Sequence, residues 1–294
     1  MKKSNKLRNQ LEYWSFVGPI FIAFLMVVII PFIIGLYYSF TNWSAIPGRS
    51  IDFIGLENYI AAFRDEQFRI SFFATIQFTL ICVVLVNIVG FFLALLVTQK
   101  MRSANLLRTV FFMPNLIGGI VLGYIWRFIF IKVFVSLYES TGLGIFGLPW
   151  LSEANQAIWA MAIVTTWQFG GYIMVIYIAG LQGIPQSLIE AAQVDGANAW
   201  KRVRHIIFPL VAPAFTVSMF LTMSNSFKMF DVNLALTNGD PGRLTELLTL
   251  QIYNTAFTDS NFGQGQAYAA ILFIIIGVVS FVQVYYNKRR EVEM

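Results

Sequence analysis

The sequence is poor in charged residues and has almost no cysteine. Asp, Glu, Lys and Arg make up 12% of its 294 residues, whereas roughly 25% is typical of soluble domains. With 57% hydrophobic residues, a soluble domain could not bury its apolar surface and keep a wettable exterior. The one cysteine, Cys82, lies in an apolar run, which excludes a disulfide within the chain and a cysteine-based metal site. The composition therefore indicates an integral membrane protein.

Two further absences narrow the function. The sequence contains no G-x-x-x-x-G-K-[ST] phosphate loop, so the chain cannot hydrolyse ATP by that route. The net charge of +5 is not gathered into a face of the kind that binds nucleic acid, because the bases are distributed by side of the membrane. We therefore expect no nucleic-acid partner, and no catalytic residue, metal site or cofactor within this chain.

Six uncharged windows are candidates to cross about 30 Å of hydrocarbon, which takes roughly 20 helical residues. They cover residues 13–48, 70–99, 109–126, 154–189, 206–227 and 260–287. The first follows four bases but is too long for a signal-peptide core and has no clear cleavage site, so we interpret it as a retained span. We predict an all-α, six-span membrane domain over residues 13–287, with short tails at 1–12 and 288–294.

The Lys and Arg residues predict the orientation of these spans. The N-terminus, the loop after the second window, the segment after the fourth and the C-terminus together carry 13 of the 20 bases. The alternate loops carry 5, and Arg127 and Lys228 lie in or near spans. Because positive residues stay on the cytoplasmic side, both termini are predicted to be cytoplasmic. We predict that the protein lies in a bacterial plasma membrane, in contact with lipid.

A short charged segment at residues 184–209, with EAAQVDGANAW at its centre, interrupts the apolar chain. We call residues 184–209 the charged segment. Ser187 followed three residues later by Glu190 matches a capping box, so a short helix is predicted to begin there. Asp195-Gly196 is a turn signal, and Gly196 is predicted to end that helix in the left-handed conformation.

A second short helix is predicted to follow the turn. Asp195 or Asn198 can cap it, and Pro209 is predicted to stop it. Small residues near the turn would let a partner's backbone approach closely, and Trp200 offers a broad apolar anchor. We interpret the two helices as a knob for a partner protein; the alternative is a solvated loop with an amphipathic surface helix.

The charged segment also carries a family resemblance. The order Glu-Ala-Ala, two residues, Asp-Gly-Ala, then Trp200, Val203, Ile206 and Pro209 resembles the cytoplasmic coupling motif of binding-protein-dependent importer permeases. The stretches DFIGLENY, LRTVFFMPN, AGLQGIPQSLIEAAQVDGA and LALTNGDPGRLTELLTLQIYNTAF are similar to the sugar-transporting, maltose-type branch, and to its MalF-like member. The sequence departs from that family at Val203, where Phe is frequent, and at Asp240, where Gly-Gly-Pro is usual.

The resemblance implies a type I ABC importer permease, of the MetI-like or MalF-like fold, and a set of partners. These are a second homologous permease, two copies of an ATPase subunit that bind the ATP, and an extracytoplasmic sugar-binding protein. In such importers the knob docks into a cleft of the ATPase. The residues to which the resemblance gives this coupling role are Glu190, Ala191, Ala192, Asp195, Gly196, Ala197 and Trp200.

Polar residues inside the windows predict the substrate path, because lipid penalises them. The candidates are Asn115 in the third window, Gln168 and Tyr172 in the fourth, and Thr222, Asn225, Ser226 and Met229 in the fifth. The last four fall at i, i+3, i+4 and i+7, on one helical face. The resemblance implies that this face meets sugar near the midplane. The alternative is hydrogen bonding between helices.

Lys228 and Asp231 stand three residues apart at the end of the fifth window. We predict a structural ion pair, which lowers the cost of burying both charges; an ion relay is the alternative. The predicted function is the permease subunit of an ATP-driven, binding-protein-dependent carbohydrate importer. The alternatives are an importer of anionic cargo such as glycerol phosphate, and an ion-coupled secondary carrier. No internal repeat of the kind common in secondary carriers is evident.

Overall fold

The computed structural model describes residues 2–46, 48, 50–99 and 101–288. Within these residues the chain forms helices and no β-strand; Thr41 and Phe53 make an isolated antiparallel bridge. The described chain divides into two units. The first ends at Arg64 and includes Ile252–Ile271, and the second consists of Asp65–Gln251 and the residues from Leu272 onward.

The helices vary greatly in length. The first seven are α1 (Lys2–Phe24), α2 (Ile30–Tyr38), α3 (Glu57–Arg64), α4 (Glu66–Val97), α5 (Ala104–Phe112), α6 (Gly119–Phe128) and α7 (Phe134–Thr141). They are followed by α8 (Ala154–Gln182), α9 (Gln186–Val194), α10 (Ala199–Arg202), α11 (Phe208–Leu210), α12 (Ala212–Phe227), α13 (Leu248–Tyr253) and α14 (Phe262–Lys288). Five-residue π-helical turns lie at Leu25–Ile29, Ile129–Val133, Val203–Ile207, Asn233–Thr237 and Asn254–Thr258.

Long apolar helices dominate the described chain. Five stretches are long and apolar enough to cross a membrane: Tyr13–Tyr38, Glu66–Val97, Gly119–Thr141, Ala154–Gln182 and Phe262–Asn287. A sixth crossing exists if Ala199–Leu210 and Ala212–Phe227, which meet at a bend of 72°, form one broken span. The predicted all-α membrane architecture is confirmed, with five or six apolar helices.

The third predicted window is placed wrongly. Residues 109–126 do not form one helix, because the chain leaves α5 through a 3₁₀ turn at Met113–Leu116 and restarts as α6. Pro114, which lacks a backbone N–H, occupies the first turn of that 3₁₀ helix. The apolar helix instead runs over Gly119–Thr141 and contains both Arg127 and Lys132. A search for uncharged windows could not find a span that carries its own charges.

In the first unit, the connection between α2 and α3 is held by side chains. Asn58 Nδ2 donates to the carbonyl oxygens of Ser39 at 2.9 Å and Thr41 at 2.8 Å. The hydroxyl groups of Ser39 and Tyr59 lie 2.6 Å apart. These bonds supply partners for polar groups that the end of α2 would otherwise leave unpaired.

In the second unit, α4, α8 and α12 pack together around the buried core. Glycines allow this approach: a Cβ on Gly90 of α4 would lie 3.2 Å from the Gly170 carbonyl oxygen of α8. A Cβ on Gly180 of α8 would lie 2.7 Å from the Ala214 Cβ of α12. Small residues at helix crossings are typical of membrane bundles, where close van der Waals contact drives association.

We expect Gly171→Ala to destabilise this bundle. The new Cβ would lie 1.8 Å from the carbonyl oxygen of Phe111, so the C-terminal end of α5 must move away from α8. The expected loss is about 1–3 kcal/mol, read as a lower denaturant midpoint in detergent micelles. Gly277→Ala in α14 is the control, because no atom lies within 4 Å of its new Cβ. Equal midpoints for the two variants would contradict the packing described.

Candidate functional site

A polar cavity lies where α12 ends. The helix stops at Phe227, and Lys228 to Phe230 are not helical. The cavity has a volume of about 350 Å³. It is lined by Gly119, Gln168, Phe169, Asn225, Lys228, Met229, Phe230, Asp231 and Val232. Amide, ammonium and carboxylate groups thus share a cavity with two aromatic rings, inside an otherwise apolar bundle.

Three of the predicted substrate residues meet at this cavity: Gln168, Asn225 and Met229. Gln168 is buried on α8, and its Nε2 donates to the carbonyl oxygen of Ile117 at 3.1 Å. That bond fixes the side chain of Gln168, and among the described residues no donor pairs with its Oε1. Asn225 lies in the last turn of α12 and is half-buried. The fixed amide of Gln168 and the amide of Asn225 provide donors and acceptors for a polar ligand.

The other four candidates do not line this cavity. Thr222 and Ser226 are buried, and Asn87 Nδ2 of α4 lies 3.5 Å from the Thr222 hydroxyl. Tyr172 is half-buried and packs against the hydrophobic core. Asn115 is half-buried in the 3₁₀ turn between α5 and α6. The predicted common face of the fifth span is thus divided, with Asn225 at the cavity and the two hydroxyl residues buried.

The predicted ion pair between Lys228 and Asp231 is wrong. In the described part of the chain no salt bridge joins them, and both side chains are exposed at the cavity. The expected contact required a continuous helix, but α12 ends at Phe227 and Lys228 has φ −95° and ψ 7°. The two charges therefore line one cavity without a contact between them.

A buried polar network, which sequence reasoning missed, joins the three packed helices. Tyr177 of α8 donates through its hydroxyl to Asn87 Oδ1 of α4 at 2.8 Å. Ser218 of α12 lies 2.7 Å from the same oxygen and 2.8 Å from the Tyr177 hydroxyl. Asn87 in an apolar window was the available signal. The network fixes the register of α4, α8 and α12, because each polar group would be costly in hydrocarbon without its partners.

The charged segment forms the two predicted helices with a tight turn between them. Gly196 has φ +75°, which confirms its predicted left-handed conformation. The Ala197 amide donates to the Ala192 carbonyl at 2.9 Å and the Gly196 amide to the Gln193 carbonyl at 3.1 Å, the two bonds of a Schellman turn. Asn198 caps α10, as predicted, by accepting from the Lys201 amide at 2.9 Å.

Other details of the charged segment differ from prediction. The Ser187–Glu190 capping box does not form, because α9 begins at Gln186 with Pro185 as its N-cap. Pro209 does not stop the second helix, which continues to Leu210. A π-helical turn at Val203–Ile207 precedes the proline, and such turns accommodate a residue that cannot donate to the helix ladder.

The surface of the charged segment is apolar as well as charged. Trp200 is 65% exposed, Val194 88% and Leu188 43%. Among the residues with a predicted coupling role, Glu190, Ala191, Asp195 and Gly196 are also exposed. Ala192 is only 8% exposed, beneath the turn, and its coupling role stays a prediction. Exposed large apolar side chains beside a rigid turn are typical of a protein interface.

The opposite side of the charged segment is attached to the helix bundle. Ile184 is buried within the hydrophobic core, and Ile189 and Ile207 pack against it. Arg202 Nη1 also donates to the Ala197 carbonyl at 2.9 Å, which links the second helix to the turn. The segment is therefore held both to the bundle and within itself.

Residues 86–292 match the family described as the binding-protein-dependent transport system inner membrane component. The probable starch degradation products transport system permease AmyD of Thermoanaerobacterium thermosulfurigenes is 50% identical, over 100% of this chain and 99% of that protein. The multiple sugar-binding transport system permease MsmF of Streptococcus mutans is 30% identical, over 98% and 99% respectively.

A solved structure has the same fold. It is that of a bacterial ABC transporter involved in the import of the acidic polysaccharide alginate. Its matching chain gives a TM-score of 0.82 at 18% identity, with 98% of this chain and 99% of that chain covered. At this identity the likeness concerns the fold alone.

We expect Tyr177→Phe to lower stability by about 1 kcal/mol, the order measured for a hydrogen bond between membrane helices. The substitution removes a hydroxyl that pairs with both Asn87 and Ser218 and keeps the ring. Tyr172→Phe on the same helix is the matched control, since in the described chain its hydroxyl pairs with no residue. The measurement is the denaturant midpoint in detergent, and an equal loss in both variants would contradict the proposed role of the network.

Proposed function

Because this chain belongs to the family of binding-protein-dependent transport system inner membrane components, we propose that it is the permease subunit of an ATP-driven carbohydrate importer. It is a multi-pass membrane protein that forms part of a transport pathway. The proposed cargo is an oligosaccharide without net charge. The main structural observation in support of this proposal is the polar cavity at the end of α12.

The chemistry of the cavity fits a polyhydroxyl ligand. Gln168 and Asn225 offer amide donors and acceptors, and Phe169 and Phe230 add aromatic surface. Sugars present alternating hydroxyl groups and apolar C–H faces, and both kinds of group find complements here. The names of AmyD and MsmF, permeases for starch degradation products and multiple sugars, support the same class of cargo.

We propose that the transport pathway requires several partners. A second, homologous permease completes the cavity, and an extracytoplasmic binding protein delivers the sugar. Two copies of an ATPase subunit bind ATP on the cytoplasmic side, and one of them contacts the charged segment of this chain through Glu190, Ala191, Asp195, Ala197 and Trp200. The excess of Lys and Arg on the predicted inner loops supports this orientation.

The coupling proposed is mechanical. Closure of the ATPase subunits moves the charged segment, whose Schellman turn keeps α9 and α10 in a fixed relation. Since Ile184, Ile189 and Ile207 join the segment to the core, the motion passes to α8 and α12. Gln168 lies on α8 and Asn225 on α12, so the shape of the cavity changes with the state of the ATPase. Packed helices switch between discrete arrangements instead of deforming continuously.

Reconstitution of the complete complex in proteoliposomes tests the function. With ATP in the lumen and the binding protein outside, we expect accumulation of maltotriose that stops when ATP is omitted. Gln168→Ala and Asn225→Ala should each reduce uptake, because each removes hydrogen bonds to the cargo. Uptake driven by an ion gradient in vesicles that contain this chain alone would contradict the proposal and favour a secondary carrier.

We expect Gly196→Pro to abolish ATP-driven uptake while the protein still inserts in the membrane. Proline fixes φ near −65°, whereas Gly196 has φ +75° and its amide donates to the Gln193 carbonyl. Gly196→Asn is the control, because asparagine tolerates the left-handed region, and it should retain most of the uptake. Measured uptake and co-purification of the ATPase subunit check both variants. Unchanged uptake in Gly196→Pro would exclude a role for this turn in coupling.

A further inference from the structure

The cavity at the end of α12 contains one positive and one negative side chain. Lys228 and Asp231 are the charged residues among those that line it. Both are exposed, and in the described part of the chain no salt bridge joins them. Two opposite charges that do not neutralise each other by contact remain available to a ligand, so their function differs from that of a structural ion pair.

Asp231 lies against the start of α6, next to Gly119. A Cβ on Gly119 would lie 2.6 Å from the Asp231 Cβ and 3.1 Å from its Oδ2. Only a residue without a side chain fits at position 119 while Asp231 occupies this position. The carboxylate lies beside the N-terminal end of α6, where the helix dipole favours negative charge. Gly119 thus acts as a positioning residue for Asp231.

We propose that Asp231 determines the charge selectivity of the cavity. Its carboxylate balances the ammonium group of Lys228, so the lining residues give the cavity no net positive charge to attract an anionic cargo. The carboxylate also repels an anionic group that binds beside it. A carboxylate also accepts two hydrogen bonds, and adjacent hydroxyl groups of a neutral sugar supply them. Lys228 donates to hydroxyl or ring oxygens of the same ligand. This inference rests on the sugar cavity proposed above and adds the basis on which neutral cargo is preferred to acidic cargo.

Two ligands that differ in one carboxylate test the proposal. Maltotriose and its aldonate, maltotrionate, would each be titrated against the complete permease–ATPase complex in nanodiscs, without the binding protein, by equilibrium dialysis of radiolabelled ligand. We expect the wild type to prefer maltotriose by about tenfold or more, the order expected for a like charge in a wet cavity. Asp231→Asn should remove or reverse this preference, because Lys228 is then unbalanced. Lys228→Gln should strengthen it.

A second pair of variants tests the positioning role of Gly119. Gly119→Ala keeps the charge of Asp231 but forces its side chain away, so the preference for maltotriose should fall as in Asp231→Asn. Gly118→Ala is the control, since nothing lies within 4 Å of its new Cβ, and its preference should equal that of the wild type. General destabilisation of the protein would reduce the binding of maltotriose and maltotrionate alike, so it would not change the ratio of their affinities.

The binding results can contradict the charge-selectivity role of Asp231 without contradicting the proposed sugar cavity. If the wild type binds both ligands and Asp231→Asn leaves their affinity ratio unchanged, the charge-selectivity role is overturned and the sugar cavity stands. If the wild type shows no saturable binding of either ligand, the sugar cavity itself is contradicted, and this inference with it. If the ratio of the affinities for maltotriose and maltotrionate changes in Asp231→Asn and Gly119→Ala, but not in Gly118→Ala, the result supports the sugar cavity and the role of Asp231 in charge selectivity.

Discussion

The close packing of α4, α8 and α12 is the constraint on which the rest of the second unit depends. Glycines at the crossings bring the helix backbones together, and the network of Asn87, Tyr177 and Ser218 fixes their register. α8 leads into the charged segment and α12 follows it. A bundle that packed loosely would absorb a displacement of the segment, whereas a packed one has to transmit it.

Two features of the second unit lie at opposite ends of α12: the charged segment before it and the polar cavity after it. At one end the segment around the turn at Gly196 exposes apolar and charged groups. At the other end α12 stops at Phe227 and releases Lys228 and Asp231 into a polar cavity. The break keeps the two charges apart, because a helix continued by one more turn would bring them within reach of each other. Irregular backbone in a membrane protein is tolerated where it lines such a cavity.

Features that depend on residues close together in the sequence could be predicted from the sequence. The all-α membrane class follows from composition, and the left-handed turn at Gly196 and the cap at Asn198 follow from their own residues. The errors concern tertiary context. Neither the break after Phe227 nor a charged span at Gly119–Thr141 can be read from windows of hydropathy. Gly119 lies against Asp231 and Asn87 pairs with Ser218, each more than a hundred positions away, and one sequence has no signal for such a pairing.

Site-directed cross-linking tests the central claim, that the charged segment contacts the ATPase, most directly. Val194, 88% exposed beside the turn, would be replaced by cysteine in a chain whose buried Cys82 is changed to alanine. In the assembled complex in inverted and right-side-out vesicles, we expect the Val194→Cys thiol to cross-link to the ATPase subunit and to be labelled only from the cytoplasmic side. Labelling from the outer side, or a complex active in uptake in which this thiol never cross-links to the ATPase, would contradict it.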